Sequence, residues 1–219
     1  AYLSRRLDIT SFGDLSLFSS LLYIASILTN PLGKAVSHST AFVVGKYGKP
    51  INGHLTRITR KIILPVGIVS LFWILSIPIL QNFFKLETPN LLIIFSPLWI
   101  ISTLSAITGG YLTGILLFTI PALTTVIESI SKLLLTSLFV GLDLADLIYL
   151  STPIAMLLML GIEWNQSRRQ DHKNSLIVDD SQVELISKKF YITSLLSTLS
   201  KVAYLSLDII IAKHFLSPI

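Results

Sequence analysis

The sequence predicts an all-α fold, a polytopic membrane bundle of about six transmembrane helices. Of the 219 residues, 52% are hydrophobic and 13% are charged, and the mean hydropathy is +0.74. Soluble domains carry about 25% charged residues. Apolar runs of the length that crosses a bilayer, roughly 20 residues, recur along the chain between short polar segments. These observations exclude an ordinary soluble domain.

The apolar runs define the predicted spans in order. They cover residues 15–44, 62–84, 90–107, 115–140, 147–164 and 190–212. Residues 1–12 are predicted to be a polar loop that precedes the first span. Pro31 is predicted to interrupt this span, because a proline inside a helix removes a backbone hydrogen bond. The glycines of segment 108–114 predict a tight turn. Glu163 falls at the end of the fifth span, where we expect it to lie at the membrane interface.

The basic residues predict which connections are cytoplasmic. Ten of the 17 Lys and Arg residues fall in connections on one side of the predicted bundle, and four fall on the other side. Because basic residues accumulate in cytoplasmic loops, we expect loops 45–61 and 165–189 to be cytoplasmic. The chain then begins outside the cytoplasm, which predicts that a further helix precedes residue 1.

The remaining basic residues, Lys34, Lys132 and Lys201, lie within predicted spans. An ionised group at the centre of a bilayer costs about 2.5–3.5 kcal/mol, so each lysine needs a partner, a cavity or access to the interface. Lys34 can either line a cavity or extend towards the interface. The spacing of polar residues on the helices of Lys34 and Lys201 predicts a cationic cavity for an anionic substrate such as a phosphate head group. Its predicted lining is Asn30, Lys34, Lys201, Tyr204 and Asp208.

The fourth span carries an acid and a base near its middle. Glu128 precedes Lys132 by four residues, the favourable order for a helical ion pair. The pair serves either to fix helix packing or to couple transport to an ion.

Signs of enzyme chemistry are weak. The four histidines have no metal-binding spacing, no phosphate-binding glycine loop occurs, and there is no cysteine. We therefore expect a protein that is not an enzyme and that uses no metal and no cofactor.

Three segments resemble a transporter family. RRLDITSFGDLSL at Arg5–Leu17 resembles the junction after the first helix in polysaccharide and O-antigen flippases, which belong to the multidrug/oligosaccharidyl-lipid/polysaccharide exporter (MATE-like) superfamily. Gly109–Leu135 resembles the passage from the fourth to the fifth helix of these flippases. Leu207–Ile219 is similar to the end of their seventh helix. The chain departs from the family in carrying lysine rather than arginine at its intramembrane basic positions.

The resemblance implies one lobe of a two-lobe exporter fold. Residues 1–189 would form an N-terminal lobe that lacks its first helix, and residues 190–219 the first helix of the second lobe. Such a protein resides in the inner (plasma) membrane and flips a polyprenyl-pyrophosphate-linked oligosaccharide to the outer leaflet by alternating access, for lipopolysaccharide or other surface polysaccharide. The implied partners are this lipid, membrane lipids and a coupling ion, H⁺ or Na⁺, with no nucleic acid.

Two alternatives stay open at this point. A cation-coupled exporter of drugs or metabolites from the same superfamily would have an acidic cavity. A membrane-embedded glycosyl transferase or polymerase would need long outer loops or clustered carboxylates and histidines, which the sequence does not show.

Overall fold

The computed structural model of the protein describes residues 9–48, 53–142, 144–173 and 188–215, with side chains omitted at 9–12, 145–146, 172–173, 202–210 and 212–215. The described residues are helical apart from short connections, which confirms the predicted all-α bundle. The helices are α1 Ile9–Tyr47, α2 His54–Phe83, α3 Asn90–Phe95, α4 Leu98–Gly114, α5 Thr119–Gly141, α6 Ser151–Lys173 and α7 Lys188–Phe215. A 3₁₀ turn, Ala145–Leu150, leads into α6.

Two predicted interruptions are absent from the helices. Helix α1 is continuous through Pro31, so the predicted break there is wrong. Segment 108–114 is not a turn but the last part of α4, and the chain turns instead after Gly114, where Leu116 has a φ of 65°. The predicted third span is divided, because Pro97 separates α3 from α4.

Several helices are longer than the apolar runs predict. Helix α2 begins at His54, inside the predicted basic loop. Helix α6 continues to Lys173, well past the predicted end at Trp164. Polar residues extend these helices because they point towards neighbouring helices or the aqueous end of the bundle. Hydropathy alone does not distinguish such helical residues from the residues of a loop. Arg5, Arg6 and most of the predicted loop 165–189 lie outside the described residues.

The protein is a membrane protein by the length and composition of its helices. Within the described ranges, five segments are long and apolar enough to span a bilayer: Gly13–Tyr47, His54–Phe83, Asn90–Gly114, Thr119–Gly141 and Leu147–Asp171. Helices α2 and α5 present apolar surfaces outwards, with Phe72 71% and Leu133 68% exposed. Exposed apolar surfaces of this kind are stable in contact with lipid tails. These faces are therefore the membrane-facing sides of the bundle.

The two ends of the bundle differ in chemistry. At one end, which we call the apolar end, the start of α1 packs against the α2–α4 connection and buries Phe18, Phe95 and Trp99. The ring centroids of Phe18 and Phe95 are 5.7 Å apart, with the planes at 87°. The other end, which we call the basic end, carries Lys46, Arg57, Arg60, Lys61, Arg168, Arg169, Lys188 and Lys189.

Helices α1 and α4 approach closely through small residues. A Cβ atom added at Gly110 would collide with the backbone carbonyl oxygen of Gly33. One added at Gly114 would lie 2.5 Å from the Cβ atom of Thr40 and 2.8 Å from the carbonyl oxygen of Ser37. Because backbone atoms of α1 obstruct a side chain at both positions, the glycines are required by the helix contact itself.

We expect Gly110→Ala to destabilise the bundle by about 1–3 kcal/mol, the usual cost of overpacking a helix contact. Thermal unfolding of the purified protein in detergent measures this effect. Gly161→Ala is the matched control, because a Cβ there has no neighbour within 4 Å. Equal stability of the two variants would contradict the close α1–α4 contact.

Candidate functional site

A cavity of about 790 Å³, which we call the polar cavity, opens among α1, α4, α5, α6 and α7. It lies in the half of the bundle nearer the basic end, since its α4 lining falls in the second half of that helix. Thirteen of its twenty lining residues have polar or charged side chains: Tyr23, Ser26, Thr29, Asn30, Lys34, Ser37, His38, Ser105, Thr113, Thr125, Glu163, Thr198 and Lys201.

The structure brings three of the predicted substrate-binding residues together. Asn30 and Lys34 from α1 and Lys201 from α7 all line the polar cavity, and all three are exposed to it. Stacking of His38 on Phe190, with ring centroids 4.5 Å apart, holds α7 against α1 one helical turn from Lys34. The side chains of Tyr204 and Asp208 lie outside the described residues. A role in binding substrate stays a prediction for all five.

A second cavity of about 350 Å³ adjoins the first and extends towards the apolar end. Asn30 and Ser105 line both cavities. Glu128 and Lys132 line the second cavity, and their charges interact. The acid and the base of the fourth span are therefore turned inwards, while Leu133 and Leu134 beside them are exposed on the outer face.

The carboxylate of Glu163 on α6 accepts hydrogen bonds from two neighbouring helices. Thr108 on α4 donates a hydrogen bond to its Oε2 at 2.8 Å, and Thr124 on α5 donates one to its Oε1 at 2.9 Å. All three side chains are buried, with Glu163 only 3% exposed. The α4 backbone passes beside the carboxylate, since a Cβ at Gly109 would lie 3.6 Å from each oxygen. One side chain thus joins three helices at the wall of the polar cavity.

The expectation that Glu163 lies at the end of its helix is therefore wrong. It rested on ending the fifth span at Trp164, whereas α6 continues to Lys173 and places Glu163 inside the bundle. The signal that could have located it is the spacing of Glu163, Ser167 and Asp171, which are four residues apart and all buried. Residues at that spacing share one helical face.

A second buried polar contact lies closer to the basic end. The hydroxyl of Tyr111 on α4 donates a hydrogen bond to Oδ1 of Asp171 on α6 at 3.3 Å. The ring of His54, at the start of α2, lies 6.5 Å from the Tyr111 ring. This hydrogen bond joins α4 to α6 near the basic end, and the His54 ring places the start of α2 beside it, outside the polar cavity.

The chemistry of the polar cavity combines two ammonium groups with one buried carboxylate. Exposed lysines and amide or hydroxyl groups can bind an anion by charge-assisted hydrogen bonds. The carboxylate of Glu163 already accepts a hydrogen bond at each oxygen and is thereby committed to the protein. Among the described residues, no group of three or more His, Cys, Asp or Glu side chains could hold a metal ion.

Comparison with known proteins identifies no relative. No family model, no curated protein and no solved structure matches the chain.

We expect Thr124→Val to destabilise the protein by about 1–3 kcal/mol, because it leaves one buried oxygen of Glu163 without its donor. Thr125→Val makes the same change one residue away, where the hydroxyl bonds only to the carbonyl oxygen of Pro121 in its own helix. Chemical or thermal unfolding in lipid nanodiscs compares the two. A Thr125→Val variant that is the less stable of the two would be inconsistent with the Glu163 contact.

Proposed function

We propose that the protein is part of a membrane transporter that moves a lipid-linked anionic substrate from the cytoplasmic to the outer leaflet. The substrate class that fits best is a polyprenyl-pyrophosphate oligosaccharide, as for the polysaccharide flippases that the sequence resembles. The observation that carries the proposal is that Lys34 and Lys201, from helices far apart in sequence, line the same cavity.

The position of the cavity supports this direction of transport. Basic residues gather at the end of the bundle nearest the cavity, which is the cytoplasmic side by the distribution of charge. The aromatic and aliphatic packing of Phe18, Phe95 and Trp99 fills the opposite end. A lobe with this arrangement would receive its substrate from the cytoplasmic leaflet, in the plasma membrane.

The size and lining of the cavity support a head group rather than an inorganic ion. Small-molecule sites commonly have volumes of about 300–1,000 Å³, and the polar cavity has about 790 Å³. The lysines would bind the pyrophosphate, acting as point charges with no fixed bidentate geometry. Asn30, Ser37 and Thr198 would supply hydrogen bonds to sugar hydroxyls. The polyprenyl chain would remain in the membrane.

The division of the chain into a lobe and the first helix of a second lobe belongs to the same proposal. Helix α7 packs along α1 through the stacking of Phe190 on His38. It corresponds to the seventh helix of the flippases and would close one side of the polar cavity. Alternating access would then move this helix, with the rest of its own lobe, relative to α1.

Glu163 favours a second candidate, a cation-coupled exporter of cationic drugs or metabolites. A buried carboxylate at the wall of a transport cavity is a typical partner for a cationic substrate. Against it, both carboxylate oxygens are occupied by threonine hydroxyls, whereas the lysines are exposed to the cavity. Resistance to cationic dyes in cells that express the complete transporter would support this candidate.

We expect the double variant K34Q/K201Q of the complete transporter to lose at least about tenfold in flipping of lipid-linked oligosaccharide in proteoliposomes. Hydrogen bonds to charged groups contribute about 1.5–3 kcal/mol each, and about 1.4 kcal/mol corresponds to tenfold in affinity.

The control for this measurement is the double variant K61Q/K189Q. It removes the same charge from two lysines at the basic end that line neither the polar cavity nor the adjoining one. Undiminished flipping by K34Q/K201Q, with correct folding, would overturn the proposed role of the cavity.

A further inference from the structure

We propose that Glu163 is a reversible proton-binding site, and that its protonation strengthens the binding of anions in the polar cavity. The site consists of the Glu163 carboxyl group and the hydroxyls of Thr108 and Thr124. The proton site itself does not depend on the substrate, whereas its effect on anion binding rests on the proposed function.

The hydrogen bonds around Glu163 can be satisfied in both protonation states. The Thr108 hydroxyl oxygen lies 2.8 Å from Glu163 Oε2 and 3.1 Å from the carbonyl oxygen of Leu104. The Thr124 hydroxyl oxygen lies 2.9 Å from Glu163 Oε1 and 3.1 Å from the carbonyl oxygen of Ile120. Each hydroxyl therefore has a carboxyl oxygen and two backbone carbonyl oxygens of its own helix within reach, but only one hydrogen to donate.

In the ionised state, both threonines donate to the carboxylate. In the protonated state, the carboxyl O–H donates to one threonine hydroxyl, which turns and donates to its own backbone carbonyl. Neither state leaves a buried polar atom without a partner, which would be costly inside a membrane bundle. The site can thus gain and lose a proton by turning a hydroxyl, with no movement of the backbone.

A route for the proton is also present. Glu163 lines the polar cavity, so its carboxyl group is adjacent to space that can hold water. Ser105, one turn before Thr108 on α4, lines the same cavity, is 7% exposed, and has a hydroxyl with no hydrogen-bond partner within the described residues. A water molecule in the cavity would satisfy this hydroxyl and link it to the carboxyl group.

The charges around the site determine the sign of the effect. Glu128 and Lys132 on α5 lie beside the adjoining cavity, and the charge of Glu128 acts on Glu163. Lys34 and His38 on α1 and Lys201 on α7 face the polar cavity, as does the hydroxyl of Tyr23. The α4 residues that face the cavity carry no charge.

Protonation of Glu163 removes the negative charge from a cavity that otherwise holds two lysines. An anion therefore binds more tightly when the proton is present, and by reciprocity a bound anion makes the proton harder to remove. As the pH rises through the titration of Glu163, anion affinity falls. A variant that replaces Glu163 alone separates its effect from that of the other ionisable groups in the cavity.

The first measurement is infrared difference spectroscopy of the full chain in lipid nanodiscs, as a function of pH. We expect a carbonyl stretching band of a protonated carboxyl group that disappears in E163Q and remains in E87Q, whose parent Glu87 is exposed. T108V and T124V should shift this band without removing it, because they change only its hydrogen bonds. A spectrum that is the same in E163Q as in the unmodified protein would overturn the proton site.

The second measurement is the affinity for inorganic pyrophosphate as a function of pH. We expect affinity to fall about fivefold or more across the titration of Glu163, and E163Q, which mimics the protonated carboxyl, to keep the higher affinity. Comparing the two proteins at each pH isolates the contribution of Glu163 from the titration of pyrophosphate itself. Identical pH profiles would overturn the link. If the infrared band behaves as expected but no pyrophosphate binds, the proton site stands and the anion-binding function is overturned.

Discussion

The contact between Glu163 and the hydroxyls of Thr108 and Thr124 is the constraint on which the rest of the bundle depends. A carboxylate inside a membrane protein must be hydrogen-bonded, and these donors come from two different helices. Forming both hydrogen bonds fixes the rotation of α4, α5 and α6 relative to one another. The same rotation turns Glu128 and Lys132 inwards, leaves Leu133 towards lipid, and places one wall of the polar cavity.

Helix α1 completes this arrangement from the other side. Its close approach to α4 through Gly33 and Gly110 lets the polar residues of α1 reach the cavity without a layer of side chains between the backbones. The bundle thus combines a tightly packed apolar end with a polar half that is held open by hydrogen bonds. Such a division of packing suits a transporter lobe, in which one end is sealed while the other receives a substrate.

The sequence predicted the helical bundle and the five spans found among the described residues, because hydropathy reports directly on burial in lipid. The spacing of polar residues also placed Lys34 and Lys201 on helices that line one cavity. It did not predict that segment 108–114 is helical, since its glycines serve a helix contact rather than a turn. It also misplaced Glu163, because a helix end was inferred from the loss of hydropathy at Trp164. Threonines 108 and 124 are unremarkable in sequence, and only the three-dimensional arrangement shows their common partner.

We propose that the polar cavity binds anions and is open to water at the basic end, on the cytoplasmic side of the membrane. The chain contains no cysteine, so a single Asn30→Cys substitution can be labelled without background. We expect a membrane-impermeant maleimide to label it in inside-out vesicles, pyrophosphate to slow that reaction, and Leu133→Cys, on the lipid face, to stay unlabelled. Labelling of Asn30→Cys from the outer side alone, or no labelling from either side, would contradict the account.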